Sequence, residues 1–497
     1  MYEEGQPPLK KNRPATIKMP PKVYRPTIPS TYIEPEGLPD PSEGLECLHK
    51  PFGMSLWKEK ERPGKRVDVI HFRPEDEKQL QQNINWTGCQ SENRQRIVDI
   101  IQEYWDVFAQ EGLKNPILGF QFVVDTGAAK PVCCRLPRYG MHEAPVIKKI
   151  CAGLKHNGII EEDKGPWGAM IVLAAKPNQA QVHWNDYVWR MCVSYRKLNS
   201  ITRPYKFPIR RCDDAILSIG EAQFFIKMDL DSGYWQIPVH KDSKAKLAFF
   251  GVDEKLTFAV MPMGALNAAP VFAAMMEVLQ NQWQELATRK KITGAGSKVI
   301  IDDVILHGVA VEPLLQFFDC VLTILLQYRA TVKLKKCRFL TQREEFVGRD
   351  ILPEGNALAK SKNDAFRNLG RPNSYHDLRS LIGMIGFYSN WIPFFELRIL
   401  PWRRLMRKAP KPREPGGQHK HIEGWDWQHE AVLTDMKNAI LSDPILKRPN
   451  SNRRFYLKTG YSSKGYGAAL CQAGSSPEEI AAEQQEDLGG NACLIVN

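Results

Sequence analysis

The sequence predicts an α+β fold between about residues 117 and 352, with a mainly helical segment after it. Short runs with apolar residues at alternate positions recur through the first region and read as strands. Two longer apolar-periodic runs, 144–156 and 268–287, read as helices between them. Beyond about 357 the period changes to that of a helix, with Leu378, Leu381, Ile382, Ile385 and Tyr388 on one stripe. At 497 residues the chain is too long for one compact domain, and a hydrophobic content of 43% is enough for genuine cores.

In chain order, residues 1–45 read as a disordered basic arm, because Pro and Lys dominate and large apolar residues are sparse. Residues 46–116 carry no functional signal, although Ile97, Ile100, Ile101, Tyr104, Trp105 and Phe108 mark a helix within 94–108. Strand candidates follow at 120–124, 169–174, 189–194, 224–230, 256–261 and 298–306. The helical segment, 353–415, ends in a basic linker with a Pro/Gly stretch around 410–417. Within 416–497, a helix at about 429–441 precedes two short strands at 455–459 and 467–472.

A formal net charge of +12 favours a polyanionic partner, because lysines and arginines release counterions from a phosphate backbone. The eleven cysteines are scattered, with Cys133 and Cys134 adjacent and no C-x-x-C pair. That argues against a zinc module or disulfide framework and for a reducing, cytoplasmic setting. Residues 1–30 lack the apolar core of a signal peptide, and no apolar run reaches ~18 residues, so neither secretion nor membrane spanning is indicated.

Chemistry concentrates at Asp302-Asp303, two adjacent carboxylates between the β-branched runs 298–300 and 304–306. A tight strand–turn–strand lifts both to a hairpin tip, where cations must neutralise them and a divalent metal could be held. A third acid, Asp229, lies in a run whose alternation buries Ile226, Met228 and Leu230 and presents Lys227, Asp229 and Asp231 on the other face. If that strand pairs beside the hairpin, three carboxylates converge and suit two Mg²⁺ ions. The alternative is an ordinary solvated strand face.

The words around these acids carry a resemblance. Lys227-Met228-Asp229-Leu230-Asp231-Ser232-Gly233-Tyr234 and its continuation to Val239 resemble the first palm motif of reverse transcriptases from gypsy-type LTR retrotransposons. The run from Met261 through Gly264 to Pro270 resembles that family's next motif, and Val299-Ile300-Ile301-Asp302-Asp303 its Tyr-x-Asp-Asp box. The stretch from Trp189 to Asn199 is similar to the fingers motif. The resemblance covers about 117–472 and implies a right-hand polymerase: fingers and palm at 117–352, a helical thumb to about 415, then a truncated ribonuclease H-like segment.

It further implies RNA-directed DNA polymerase activity, with an RNA template, a DNA or RNA primer and dNTPs as partners and two Mg²⁺ ions as cofactors, Mn²⁺ being an alternative. By resemblance, Asp229, Asp302, Asp303 and the Leu230 carbonyl bind metal. Tyr234 is the aromatic gate against a 2′-hydroxyl, Arg190 grips the triphosphate with Lys176 as a second phosphate contact, and Met263 and Gly264 border the nucleotide. Phe346, Val347 and Gly348 match the primer grip, with the basic run Lys335-Lys336 before it. The resemblance places such a protein in the cytoplasm or in a virus-like particle.

Three features depart from the pattern. Ile300 stands where the family has tyrosine, which removes a hydroxyl and an aromatic platform near the primer end. Gly460 stands where the first ribonuclease H aspartate belongs, and the sequence stops before the later acids, so that activity is expected to be absent. Asp125-Thr126-Gly127 has the form of an aspartic-protease signature, but such a site needs two loops of this kind. Two other functions stay open: a catalytically impaired nucleic-acid-binding remnant, and an RNA-dependent RNA polymerase, which shares the palm acids.

Overall fold

The computed structural model describes residues 54–55, 84–108, 116–175, 189–392, 394–407, 409, 420–448, 455–462 and 465–472. All lie in one compact unit, Asp40–Asn497. The basic arm at 1–45 and Lys176 fall outside the described residues.

Strand β1 (Met54–Ser55) pairs with β2 (Gln121–Phe122), and helix α1 (Arg94–Glu103) lies between them in the chain. The expected strand at 120–124 is thus only two residues long. Helix α2 (Glu143–His156) leads to β3 (Ile160–Glu162), β4 (Ala169–Ala175) and β5 (Trp189–Ser194). Helix α3 (Cys212–Leu217) then precedes β6 (Phe224–Asp229), after which β7 (Phe249–Phe250) and β8 (Lys255–Phe258) return to the first group. The result is a five-stranded sheet of order β3-β8-β7-β4-β5.

The next elements are helix α4 (Ala268–Arg289), β9 (Ala295–Ile300), β10 (Asp303–Gly308), helix α5 (Val311–Tyr328) and β11 (Arg338–Thr341). They build an antiparallel sheet of order β11-β6-β10-β9, in which β6 and β10 are central. On one face Ile226, Met228, Val304 and Leu306 are buried with Phe272 and Met275 of α4 and Leu314 and Phe318 of α5. On the other, Phe225, Ile300 and Ile305 pack with Ile216, Phe346 and Ile351. Each such side chain, taken fully out of water, contributes about 1.5–3 kcal/mol, so both faces fix the register of the central strands.

Residues 298–306, a strand candidate in outline, form the strand–turn–strand expected around Asp302-Asp303, with β9 and β10 joined at Ile301-Asp302. Ile301 has a φ of 56°, a left-handed conformation that β-branched residues seldom adopt. No Gly or Asn marks the turn in the sequence; the pair of acids between two β-branched runs does. The run expected at 224–230 ends as a strand at Asp229, and Leu230 continues in an isolated bridge to Val332. Helix α5 is the one described helix long and apolar enough to cross a membrane, yet Leu314, Phe318, Leu322 and Ile324 are fully buried in the core.

Helix α1 joins the same core through Ile97, Ile101 and, just beyond it, Phe108. Tyr104 Oη donates to Asp319 at 2.6 Å, which fastens α1's C-terminus to α5. Strands β12 (Glu344–Phe346), β13 (Arg349–Leu352) and β14 (Gly355–Leu358) form a three-stranded sheet. Helix α6 (Tyr375–Gly386) starts at a Ser374–Asp377 capping box, and the expected stripe Leu378, Leu381, Ile382, Ile385 and Tyr388 is buried. Helix α7 (Trp427–Leu441) packs into that second core before β15 (Phe455–Ser462) and β16 (Gly465–Gln472) form a separate hairpin.

Candidate active site

The register of β6 against β10 sets Asp229 directly opposite Asp303, with Asp302 at the adjoining turn. Asp229 and Asp303 are half-buried and Asp302 is exposed. Desolvation at the hairpin tip raises the Asp302 carboxyl above its ordinary value; its own backbone amide opposes this, and the charges of Asp303 and Asp229 add to it. The three acids therefore share one electrostatic environment, as the alternation within β6 predicts.

Each of the two paired acids is met by a lysine. Lys336 Nζ donates to both carboxylate oxygens of Asp229, at 3.1 and 3.0 Å. Lys227 Nζ lies 3.4 Å from Asp303 Oδ1 and donates to the Glu345 carbonyl at 2.6 Å. The other Asp303 oxygen accepts the Val347 amide at 3.3 Å. With the carboxylates turned to these partners, no group of three or more His, Cys, Asp or Glu side chains among the described residues is disposed to hold a metal. The donor set is nonetheless the all-oxygen kind that a hard divalent cation takes. The bridge around Leu230 uses the Asp231 amide and the Asp229 carbonyl, so it leaves the Leu230 carbonyl oxygen to a further ligand.

Gln236, which lies in the palm motif but was given no role from the sequence, holds this strand end. Its buried side chain donates to the Asp231 and Thr331 carbonyls, both at 2.8 Å, and accepts the Thr331 amide at 2.9 Å. Tyr234 stacks on Phe272, ring centroids 5.0 Å apart and nearly parallel. Burial raises its hydroxyl above the ordinary value, and the charge of Asp302 adds to this. Gly233 is required here, because a Cβ would stand 2.8 Å from the Phe272 ring.

Arg190 is exposed on β5, the edge strand of the five-stranded sheet. Met263 is also exposed, and Gly264 turns beside the same strand with a φ of +89°, where a Cβ would meet the Val193 carbonyl at 3.7 Å. Asn199, another residue without a signal of its own, clamps that loop: it donates to the Gly264 carbonyl and accepts the Leu266 amide, both at 3.0 Å. Phe346, Val347 and Gly348 end β12 in a tight turn, with Val347 and Gly348 both at positive φ. This turn delivers its amide to Asp303, so it is joined to the acid cluster.

Comparison with known proteins agrees with this arrangement. A family model described as reverse transcriptase (RNA-dependent DNA polymerase) matches residues 182–370, and one described as an RNase H-like domain found in reverse transcriptase matches 425–482. The chain is 26% identical over 382 residues to the Pol polyprotein of transposon 297 of Drosophila melanogaster, a match covering 76% of this chain and 34% of the relative. The Pol polyprotein of transposon gypsy, from the same organism, is 26% identical over 418 residues, covering 80% and 39%. Over most of its length the chain is similar to the reverse transcriptase region of LTR-retrotransposon Pol polyproteins.

The chain spans about a third of the length of the curated relatives it matches. In fold, the foamy viral protease-reverse transcriptase in complex with dsDNA superposes with a TM-score of 0.68 at 21% identity, covering 83% of this chain and 80% of that one. The same viral protein with an RNA/DNA hybrid gives 0.62 at 20% identity, covering 86% and 57%. The fold is thus a reverse transcriptase polymerase followed by an RNase H-like domain.

Two outlying motifs are also placed. Gly460 sits mid-strand in β15 opposite Gly467, so no carboxylate stands at that pair. Asp125 accepts the Gly127 amide at 2.8 Å and lies 3.4 Å from Arg203, which makes Asp125-Thr126-Gly127 a turn. Ile300 is buried in the core beneath the sheet.

Proposed function

We propose that this chain extends a primer 3′-hydroxyl with dNTPs on an RNA or DNA template. The observation that carries the proposal is the cross-strand register that sets Asp229 against Asp303 with Asp302 at the turn. Asp229, Asp302, Asp303 and the Leu230 carbonyl would hold two Mg²⁺ ions, or Mn²⁺, which when bound activate the attacking hydroxyl and neutralise the leaving pyrophosphate.

The chain's own residues do the rest. Arg190, exposed and without a partner among the described residues, offers a planar guanidinium to the triphosphate, with Lys176 as a second phosphate contact. The Tyr234 ring, held by Phe272, closes the space a 2′-hydroxyl would need. Met263 and Gly264 flank the nucleotide, and the 346–348 turn sets the primer terminus against the acids. On helix α6, Gly383 has no neighbour within 4 Å where a Cβ would be, and Met384 and Phe387 are exposed, which suits close approach of a duplex. Such binding rests on phosphate contacts and weakens with salt.

Primer extension on an RNA template tests this. Mg²⁺-dependent incorporation of dNTPs is expected. Normal duplex binding with no extension would establish the non-catalytic remnant instead, and preference for rNTPs would establish an RNA polymerase. No ribonuclease H step is proposed through Gly460.

A further inference from the structure

One acid of the proposed site, Asp229, is engaged by a lysine on a strap that is fastened to its own strand. Residues 331–336 run beside the end of β6. The Asp231 amide donates to the Thr331 carbonyl and the Lys333 amide to the Asp229 carbonyl, both at 2.9 Å. Gln236 ties Thr331 from the other side. Side chains repeat the pairing, with Lys333 3.7 Å from Asp231 and Lys336 bidentate on Asp229. The buried Leu334 anchors the strap in the core. Lys336 is therefore delivered to Asp229 by a braced segment, and its contact occupies both oxygens that a metal would need.

We propose that Lys336 is a resident counter-cation: it neutralises Asp229 before metal arrives and must be displaced for metal to bind. The inference rests on the metal-binding reading given above. Three carboxylates crowded at one strand end repel one another unless cations are present. Lys336 supplies one positive charge and Lys227, held by the Glu345 carbonyl, supplies another to Asp303. Metal entry is then an exchange of an ammonium for a metal ion on the same oxygens, which raises the metal concentration needed for loading and keeps the empty site assembled. Lys336 acts as a positioning residue for Asp229. Its side chain is 56% exposed, so it can be replaced without opening the core.

The test is Mn²⁺ binding to the full chain without nucleic acid or nucleotide, read by electron paramagnetic resonance of free Mn²⁺, with thermal melting alongside. Lys336→Gln removes the competitor and is expected to bind Mn²⁺ roughly five- to tenfold more tightly than wild type, a modest factor because the pair is partly solvated. Lys336→Arg keeps the charge and should stay within about twofold. In EDTA the Gln variant should melt lower than wild type, and saturating Mn²⁺ should recover the difference. Unchanged or weaker Mn²⁺ binding by Lys336→Gln would overturn the inference. Absence of Mn²⁺ binding to wild type as well would instead overturn the metal-binding reading, and the inference with it; loss of binding in Asp302→Asn alone keeps that reading intact.

Discussion

Two hairpins of similar construction meet different fates in this chain. The β9–β10 hairpin sits inside a four-stranded sheet, with α4 and α5 on one face and the 344–352 strands on the other. The β15–β16 hairpin is a two-stranded sheet of its own, with Leu457 65% exposed and Phe455 and Tyr456 also open to solvent. The first carries Asp302 and Asp303 beside Asp229; the second has Gly460 at the acid position, opposite another glycine. Clustered carboxylates need a frame that fixes them and cations that neutralise them, and the β9–β10 hairpin has both.

The largest effect that can break this comparison is catalytic. Asp302→Asn should lower primer extension about a thousandfold, equivalent to roughly 4 kcal/mol of transition-state stabilisation, whereas Gly460→Asp should leave extension within about twofold. Equal losses in steady-state extension assays would mean that the two hairpins share a function. Packing comes next: Phe225→Ala, at a site buried on the sheet's inner face, should cost about 3–5 kcal/mol in urea unfolding. Leu457→Ala should stay within about 0.5 kcal/mol, because its side chain already meets water.

A third test uses pH. Burial pushes the His307 imidazole down to about 3, helped by the charges of Lys298 and Arg448, and its Nε2 has no hydrogen-bond partner. The unfolded chain takes up this proton near the ordinary histidine value of 6.5 and the folded chain does not. His307 therefore lowers stability as pH falls from about 6.5 toward 3, with a slope of at most ~1.4 kcal/mol per pH unit. Denaturant midpoints at pH 4.5 and 7, in roughly the window this linkage defines, should differ less in His307→Gln than in wild type. An equal difference would show that His307 is not the group that titrates. The smallest effect is selective: Tyr234→Ala should reduce preference for dNTPs over rNTPs by about 10–100-fold while Tyr234→Phe retains it, read from competing incorporation on one template.

Legibility in the sequence followed the range of the interactions. Strand β6 was readable because Ile226, Met228 and Leu230 alternate with polar residues, and that pattern depends only on neighbours. The turn at 301–302 was readable from the acid pair between two β-branched runs, but the left-handed conformation of Ile301 was not, because the sheet around it imposes that on a β-branched residue. Helix α5 was not read from the sequence, although its apolar residues recur at a helical period. Asp229, Asp302, Asp303 and Tyr234 stood out through ordered motifs. Gln236 and Asn199 lie inside those motifs, but their bracing roles were not legible, since their partners lie 95 and 65 residues away. The pairing of Lys336 with Asp229 spans 107 residues and was likewise out of reach.

The most direct test of the central claim compares Asp229→Asn and Asp302→Asn in single-turnover extension, with duplex affinity measured on the same samples. Duplex binding near that of wild type and loss of extension in both variants is the predicted result, because the two acids serve one metal-dependent step from different strands. Extension at the wild-type rate by either variant would contradict it.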